Sequence, residues 1–330
     1  MSIDIKYIKP FILATERAAY GASLLVGKND KIAADQASVD EMRNQLNKIP
    51  MKGKIVIGEG ELDEAPMLYT NEKVGLGTGD EFDIAVDPLE GTNFTAKNLP
   101  NALSVMAVSK KNCLLNAPDM YMEKIAVGPS LPKNLLDLDN TIIENITILS
   151  KAKNTTPNKL RVCVLKRERH KKIIDDLMSL GVKIHFIDDG DVLGVVAVGI
   201  KNLNIDMYVG IGGAPEGVLA AAALECLGCQ MQTRLIFNTE EEKKRGKKLG
   251  ILNFNKKYEI SDMIKDDVLF SASGVTDGDI VKGIKTDNDY FYVETFFLHK
   301  KTNTNKIIKN KIKKWISLLL VEKTGYLKNS

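Results

Sequence analysis

Two stretches of the sequence concentrate carboxylates where a strand is expected to end. The first stretch, residues 58–64, reads GEGELDE and directly follows a short predicted strand at 54–57. Its acidic side chains belong to Glu59, Glu61, Asp63 and Glu64. Like charges this close repel one another unless they reach solvent or a cation neutralises them. Taken alone, the stretch is read more simply as a solvated acidic loop, and a cation site is the alternative.

The second stretch, residues 83–92, reads DIAVDPLEGT and favours the cation site. The two-residue period of a strand places Asp83 and Asp87 on one side. Pro88 should stop the strand, so Asp87 lies at its carboxyl end, where open α/β sheets bind ligands. Glu90 follows, and residues 91–92 can begin a helix whose free amides face an anion. This arrangement suits Mg²⁺ or Mn²⁺, which take oxygen ligands and keep water for a phosphate.

Three further segments follow predicted strands and carry polar groups. Residues 205–217 read IDMYVGIGGAPEG, a strand and a glycine-rich loop that lead into an alanine-rich helix beginning near Glu216. Residues 188–191, DDGD, could accept hydrogen bonds from sugar hydroxyls or cap the next helix. Residues 166–170, KRERH, offer two guanidinium forks that fit phosphate oxygens. A simple helix cap remains an alternative for the first two segments.

Composition limits the other chemistries that the chain could perform. With only three histidines among 330 residues, a histidine-rich zinc site or a Ser-His-Asp triad is improbable. The Cys226–Cys229 spacing has no second pair, so these thiols are expected to be buried. A net charge of +3 gives no field that directs the chain to nucleic acid or a membrane, and we expect neither partner. No apolar run approaches the ~20 residues of a membrane helix, and the expected location is the cytoplasm.

The positioning elements follow from hydrophobic period and turn residues. Two helices are predicted before residue 50, then strands at 54–57 and 83–87 and a hairpin formed by 102–108 and 113–115. A polar, proline-containing segment near 150–159 is the best internal boundary. Strands and helices alternate beyond it, which indicates a layered α/β architecture. The lysine-rich segment 300–314 is expected to form a solvated face.

Taken in order, the motifs resemble one known family. Asp35 and the segments GEGELDEAPM (58–67), DPLEGT (87–92), NAPDMYM (116–122) and GGAPEG (212–217) are similar to class II, bacterial-type fructose-1,6-bisphosphatases of the lithium-sensitive, metal-dependent phosphatase superfamily. The likeness extends from about residue 10 to about residue 285. DPLEGT alone would indicate only the superfamily, which includes inositol monophosphatases, whereas the segments around Glu59, Tyr121 and Glu216 select class II.

The resemblance implies a fold and a set of site residues. The implied fold is an α/β/α/β/α sandwich of the sugar-phosphatase type. Residues 1–157 would form an α+β half with most metal ligands, residues 158–330 an α/β half with sugar-phosphate contacts, and the site would lie between them. The implied Mn²⁺ or Mg²⁺ ligands are Asp35, Glu59, Asp87, Glu90 and Glu216. Asp63 and Thr92 would orient the attacking water. The implied substrate contacts are Glu90, Gly91, Thr92, Tyr121, Arg167, Glu168, Arg169, Asp189, Gly190, Asp191 and Gly213.

The implied reaction is hydrolysis of the 1-phosphate of fructose 1,6-bisphosphate, a step of gluconeogenesis, by a homodimer or tetramer. One residue departs from the family pattern, because Glu168 stands between the two arginines where the family commonly has proline. Two alternatives stay open: a phosphatase for another substrate, such as sedoheptulose 1,7-bisphosphate or an inositol phosphate, and a catalytically silent sugar-phosphate-binding regulator. The full carboxylate set argues against the regulator.

Overall fold

The computed structural model describes residues 2–58 and 68–314. The strands are β1 (Lys52–Ile57), β2 (Lys73–Val74), β3 (Glu81–Glu90), β4 (Leu103–Lys110), β5 (Tyr121–Val127), β6 (Arg161–Leu165), β7 (Lys183–Ile187), β8 (Met207–Gly213), β9 (Gln230–Leu235), β10 (Lys257–Glu259), β11 (Val268–Gly274), β12 (Lys285–Thr286), β13 (Tyr290–His299) and β14 (Thr304–Lys313). The helices are α1 (Ile5–Ser23), α2 (Lys31–Leu46), α3 (Thr92–Ala96), α4 (Ile142–Ala152), α5 (Lys171–Ser179), α6 (Asp191–Val196), α7 (Ala214–Leu227), α8 (Glu240–Lys248) and α9 (Ile260–Met263).

The described strands form two sheets of eight and six strands. The first sheet has the order β12-β13-β11-β4-β3-β1-β2, with β14 paired to β13. The second has the order β10-β9-β5-β8-β6-β7. Strands β6, β7 and β8 are parallel, so their carboxyl ends meet at one edge of the second sheet and their amino ends at the opposite edge. Strand β5 is antiparallel to β8, with Tyr121 beside Gly213 and Val127 beside Met207.

Helices and sheets alternate in five layers. Helices α1 and α2 pack on the outer face of the first sheet through Phe11, Met42 and Leu46. Helix α7 lies between the two sheets, where Ala220–Ala223 are completely buried. A helix covered on all sides must be apolar all round, and alanine lets both sheets approach it closely. Helices α4 and α5 cover the outer face of the second sheet. The predicted α/β/α/β/α sandwich is therefore confirmed.

The predicted hairpin of residues 102–108 and 113–115 is wrong. Strand β4 lies between β3 and β11, and Leu114 forms an isolated bridge with Ile264. The Asp83 carboxylate accepts the Cys113 and Leu114 amide protons at 3.0 and 3.3 Å and turns the chain away from β4.

Each sheet contains strands from both sides of the predicted boundary between residues 157 and 158. Strand β5 belongs to the second sheet, and β11 to β14 return to the first. The division into two domains stays a prediction. The lysine-rich segment after residue 300 forms the edge strand β14, with several exposed lysines. Within residues 2–58 and 68–314, no helix has the length and hydrophobicity needed to cross a membrane.

Candidate active site

The centre of the candidate site is the end of β3. The strand does not stop at Pro88 as predicted; it continues to Glu90 with a register shift between Asp87 and Glu90. Proline lacks the amide proton that the ladder needs, so the break in the ladder falls there. The Ser38 hydroxyl on α2 donates a hydrogen bond to the Pro88 carbonyl. Because Ser38 lies one turn beyond Asp35 on the same helix, this bond places Asp35 beside the end of β3.

Glu90 links β3 of the first sheet to helix α6. Its carboxylate is 3% exposed, and Oε1 accepts the Val192 amide proton of α6 at 2.8 Å. The other oxygen, Oε2, is buried without a hydrogen-bond partner among the residues that the structure describes. A buried carboxylate oxygen in this state is costly unless a further partner satisfies it.

Several acidic groups surround Asp87 and Glu90. Burial raises the pKa of the Asp87 carboxyl well above its usual range, and the negative charges of Glu216, Asp35 and Asp189 raise it further. Burial likewise raises the pKa of Glu90, with added effects from Asp87, Glu216 and Asp191. The structure therefore gathers carboxylates from α2, β3, the β7–α6 turn and α7 around the end of β3.

Glu216 belongs to the first turn of α7, which begins directly after β8 without the predicted glycine loop. Its Oε2 atom accepts the Gly213 amide proton at 2.9 Å, so the side chain turns back toward the strand end. Burial, followed by the charge of Asp191, raises the pKa of Glu216 to about 7.

A buried lysine that the sequence analysis did not single out lies beneath these acids. Lys124 on β5 is 0% exposed and forms an ion pair with the Asp191 carboxylate, while its Nζ lies 3.9 Å from Glu216 Oε2. Tyr208 donates its hydroxyl proton to the other Asp191 oxygen. Burial by itself raises the pKa of Asp191, but Lys124 and Tyr208 bring it below the ordinary value.

The strand pattern held a signal for Lys124. Met122, Lys124 and Ala126 alternate along β5 and all face the space between the sheets, so a charged residue occupies an apolar position. Gly212 on the neighbouring strand leaves room for the pair of Lys124 and Asp191, because a Cβ atom there would collide with the Asp191 carboxylate.

The acidic centre opens into a cavity of about 500 Å³ at the carboxyl ends of β6 and β8. Arg169 donates two hydrogen bonds to the Ile211 carbonyl, at 3.0 and 2.8 Å, and its guanidinium lies 5.0 Å from the Tyr121 ring centroid. Arg167 Nη2 lies 3.9 Å from Asp189 Oδ1. The predicted site residues that line this cavity are Tyr121, Arg167, Arg169, Asp189, Asp191, Gly213 and Glu216.

Buried His170 holds the arginine segment in place. Its Nδ1 donates to the Leu165 carbonyl at 2.7 Å, and Nε2 accepts the Ile211 amide proton at 2.8 Å. Burial lowers the pKa of His170, which agrees with a neutral ring that donates from one nitrogen and accepts at the other. The ring thus fixes residues 167–169 against β8.

Other predicted residues lie at the margin of the site. Gly190 and Gly91 adopt the left-handed conformation, with φ of 80° and 82°, directly before α6 and α3. Thr92 is the first residue of α3 and is half-buried. Glu168 is exposed and does not line the cavity. The predicted residues Glu59 and Asp63 lie outside the described residues.

A divalent cation fits the donors in this structure. Their oxygens are the hard ligands that Mg²⁺ and Mn²⁺ prefer, and Glu90 Oε2 lacks a hydrogen-bond partner within the described ranges. Burial, and then repulsion between the acids, raises the pKa values of Asp87 and Glu90, and a cation would offset both effects. In the part of the chain that the structure describes, no group of three acidic, histidine or cysteine side chains has by itself the arrangement of a metal site.

Comparison with known proteins agrees with the resemblance seen in the sequence motifs. A family model described as "Bacterial fructose-1,6-bisphosphatase, glpX-encoded" matches residues 6–312, beyond the expected limit near residue 285. The chain is 43% identical over 314 residues to "Fructose-1,6-bisphosphatase class 2" of Haemophilus influenzae, covering 91% of this chain and 94% of the relative. It is 41% identical to "Fructose-1,6-bisphosphatase 1 class 2" of Escherichia coli, covering 91% and 93%. A Synechococcus relative, 39% identical with 92% and 94% covered, is named "D-fructose 1,6-bisphosphatase class 2/sedoheptulose 1,7-bisphosphatase".

Proposed function

Since the chain belongs to the class II fructose-1,6-bisphosphatase family, we propose that it hydrolyses the 1-phosphate of fructose 1,6-bisphosphate to fructose 6-phosphate and inorganic phosphate, as in gluconeogenesis. The observation that carries this proposal is that a cluster of carboxylates lies directly beside an arginine-lined cavity. Crowded carboxylates with raised pKa values adjoin a cavity lined by Arg167 and Arg169. One part suits cations that neutralise a reacting phosphate, and the other suits a second phosphate at a distance.

Mg²⁺ or Mn²⁺ would be held by Asp35, Glu59, Asp87, Glu90 and Glu216. When bound, such a cation neutralises phosphate charge and lowers the pKa of a coordinated water. Asp63 and Thr92 would align the attacking water through hydrogen bonds. Because phosphoryl transfer needs mainly alignment and charge neutralisation, no covalent enzyme intermediate is required.

Arg167, Arg169 and Tyr121 would hold the distal 6-phosphate. The hydrogen bonds of Arg169 to Ile211 and its position over Tyr121 support this role, because they fix the guanidinium before the substrate arrives. Glu90, Gly91, Gly190 and Gly213 would border the substrate, and Glu168 would face solvent beside it.

Asp189 is the better candidate for contact with sugar hydroxyls. Its side chain is 32% exposed at the cavity, whereas Asp191 is 3% exposed with both oxygens already bonded to Lys124 and Tyr208. We therefore propose that Asp191 borders the sugar but acts chiefly by holding Lys124 beside Glu216.

Release of inorganic phosphate from fructose 1,6-bisphosphate tests the proposal, with Mn²⁺, with Mg²⁺, with added Li⁺ and with a chelator. Asp87→Asn should lower turnover by at least about 10³-fold, since it removes a ligand charge from the reacting centre. Asp83→Asn is the matched control, because Asp83 lies on the same strand but serves the Cys113 turn. Equal turnover in the Asp87 variant and the wild type would refute the assignment.

Sedoheptulose 1,7-bisphosphate is the second candidate substrate. The relatives named for both activities are 38–39% identical to this chain, nearly as similar as those named for the fructose activity alone. Values of kcat/KM measured for the two bisphosphates on one preparation decide between them. Metal-dependent binding of either bisphosphate without released phosphate would instead support the silent regulator.

We also propose a cytoplasmic homo-oligomer, a dimer or a tetramer, that uses a small sugar bisphosphate as its partner. Light scattering of the purified chain tests the assembly. A monomeric mass at the concentrations used for the assay would contradict it.

A further inference from the structure

A second large cavity lies at the end of the six-stranded sheet opposite the candidate active site. It has a volume of about 660 Å³ and is formed where β6, β7 and β8 begin and where β5 ends. Strand β6 has five residues and therefore separates the two cavities by about 13 Å of extended chain. The volume is within the range of roughly 300–1,000 Å³ that is typical of small-molecule sites.

Basic side chains from separate elements converge on this cavity. They belong to Lys153, Lys159, Arg161, Lys183 and Lys201. The five come from the end of α4, the turn before β6, the first residues of β6 and β7, and the segment before β8. A solvated lysine face usually lies along one element, whereas these side chains surround a common space.

Among the described residues that line the cavity, the only carboxylate is already engaged. Asp206 forms an ion pair with Lys153 and accepts the Arg161 amide proton at 2.7 Å. The side chains of Lys159, Arg161, Lys183 and Lys201 have no ion-pair partner within the described ranges of the chain. This concentration is local, because the whole chain carries only +3.

The lining also contains apolar side chains between the charges. Pro129, Leu131, Val198, Ile200 and Ile205 contribute to it. An apolar floor with a cationic rim suits an organic anion better than a bare inorganic ion, because each part of the ligand finds a matching surface. The cations surround a half-open cavity and do not form the stripe that would follow a nucleic-acid backbone.

We propose that this basic cavity binds a small molecule that carries two or more phosphate groups. One phosphate offsets at most two of the four unpaired cations, so a ligand with several phosphates matches the charge of the cavity. Lysine and arginine both bind phosphate oxygens through charge-assisted hydrogen bonds. The ligand would occupy the amino ends of the strands whose carboxyl ends face the substrate, so it would not compete with the substrate for contacts.

The test measures binding without turnover. Titration calorimetry of the full chain in a chelator uses tripolyphosphate and ATP as probes, since both carry three linked phosphates and only ATP has an organic body. The double variant Lys159→Glu/Lys183→Glu reverses two charges of the cavity. Lys172→Glu is the matched control, because Lys172 is exposed on α5 and does not line the cavity. Arg167→Ala removes a group of the candidate active site.

We expect one saturable site per chain, with affinity for both probes reduced at least about tenfold in the double variant and changed less than about twofold in Lys172→Glu and Arg167→Ala. Tighter binding of ATP than of tripolyphosphate would show that the apolar floor holds the organic body, and equal binding would assign the affinity to phosphates alone. Either result supports the site if the double variant loses it.

Two outcomes overturn the proposal. One is a loss of binding in Arg167→Ala with none in the double variant, which would place the anion in the candidate active site. The other is no saturable binding by wild type up to about 10 mM probe. Circular dichroism and the phosphate-release rate of the double variant show whether it is folded. Because binding is read in the absence of metal and turnover, the proposal can fail while the phosphatase proposal stands, and the reverse also holds.

Discussion

The two ends of the six-stranded sheet carry charges in opposite physical states. At the carboxyl ends of β6 to β8, Lys124 and Asp191 are 0% and 3% exposed and contact each other. At the amino ends, Lys159 and Lys183 are exposed and unpaired within the described chain. The same strands thus present a desolvated, paired network on one side and a hydrated, unpaired rim on the other.

This difference decides how much each charge matters to the protein. A buried charge that loses its partner keeps its desolvation cost, whereas an exposed charge is stabilised by water whether or not it has a partner. Substitutions of the buried pair at the site end should therefore change stability and turnover together. Those at the cavity end should change ligand affinity with little effect on stability.

The largest expected effect is at Lys124. Lys124→Met leaves the Asp191 carboxylate buried without its cation, which should lower the free energy of unfolding by about 3–5 kcal/mol and turnover by at least about tenfold. Urea unfolding and phosphate release measure the two effects.

The double variant Lys124→Met/Asp191→Asn separates a lost pair from lost packing. It removes both charges of the buried pair, so it should recover much of the stability but not the turnover. If Lys124→Met is as stable as the wild type, the buried pair does not differ in kind from the exposed cations, and the comparison fails.

Glu16 tests what burial does to an acid that has no contacting cation among residues 2–58 and 68–314. It is 1% exposed on α1, and its Oε1 accepts hydrogen bonds from Asn310 and Thr295 at 2.7 and 3.3 Å. Burial raises the pKa of Glu16 to about 7, although these hydrogen bonds oppose the rise. Asp191 is also buried, but its pairing with Lys124 brings its pKa below the ordinary value.

The pH dependence at Glu16 follows from that pKa. Since the folded pKa is raised from 4.5 to about 7, the stabilising contribution of the protonated acid is complete below pH 4.5 and is lost as the pH rises through 7. Glu16→Gln stays neutral and should be more stable than the wild type by about 3 kcal/mol at pH 8 and by less than about 1 kcal/mol at pH 5. Urea unfolding at both pH values measures the difference; a constant difference would contradict the raised pKa.

These buried groups mark the limit of prediction from the sequence. The layered α/β architecture and the segments around Asp87, Tyr121 and Glu216 follow from period, turn residues and motif order. The predicted end of β3 is too early, because the strand continues past Pro88 to Glu90. The partner of Asp191 does not, because β5 and α6 meet only when the second sheet forms. Strands β11 to β14 return to the first sheet through long-range antiparallel pairing, which leaves no local signal. The predicted hairpin failed for a related reason, since the Asp83 side chain redirects the chain after β4.

A smaller effect, on KM, is expected from Arg169 and Glu168, two neighbouring residues at the active-site end of the sheet that differ in their contacts. Arg169 makes two hydrogen bonds and lies over Tyr121, whereas Glu168 is exposed and does not line the cavity. Arg169→Ala should raise the KM for fructose 1,6-bisphosphate about tenfold or more. Glu168→Gln should change KM by less than about twofold, and a large fall in KM would show that its carboxylate repels the substrate phosphate.

The smallest effect is expected from neutralising the cavity rim. Lys159→Gln/Lys183→Gln removes two hydrated charges that repel their neighbours, so the free energy of unfolding should stay within about 0.5 kcal/mol of wild type and rise slightly at low salt. Because repulsion between exposed charges is screened, the rise should vanish in about 1 M salt. Urea unfolding at two salt concentrations measures it. A loss of several kcal/mol that persists at high salt would mean that these lysines support the sheet as Lys124 does, and the contrast between the two ends would then lie in sequence position and not in burial.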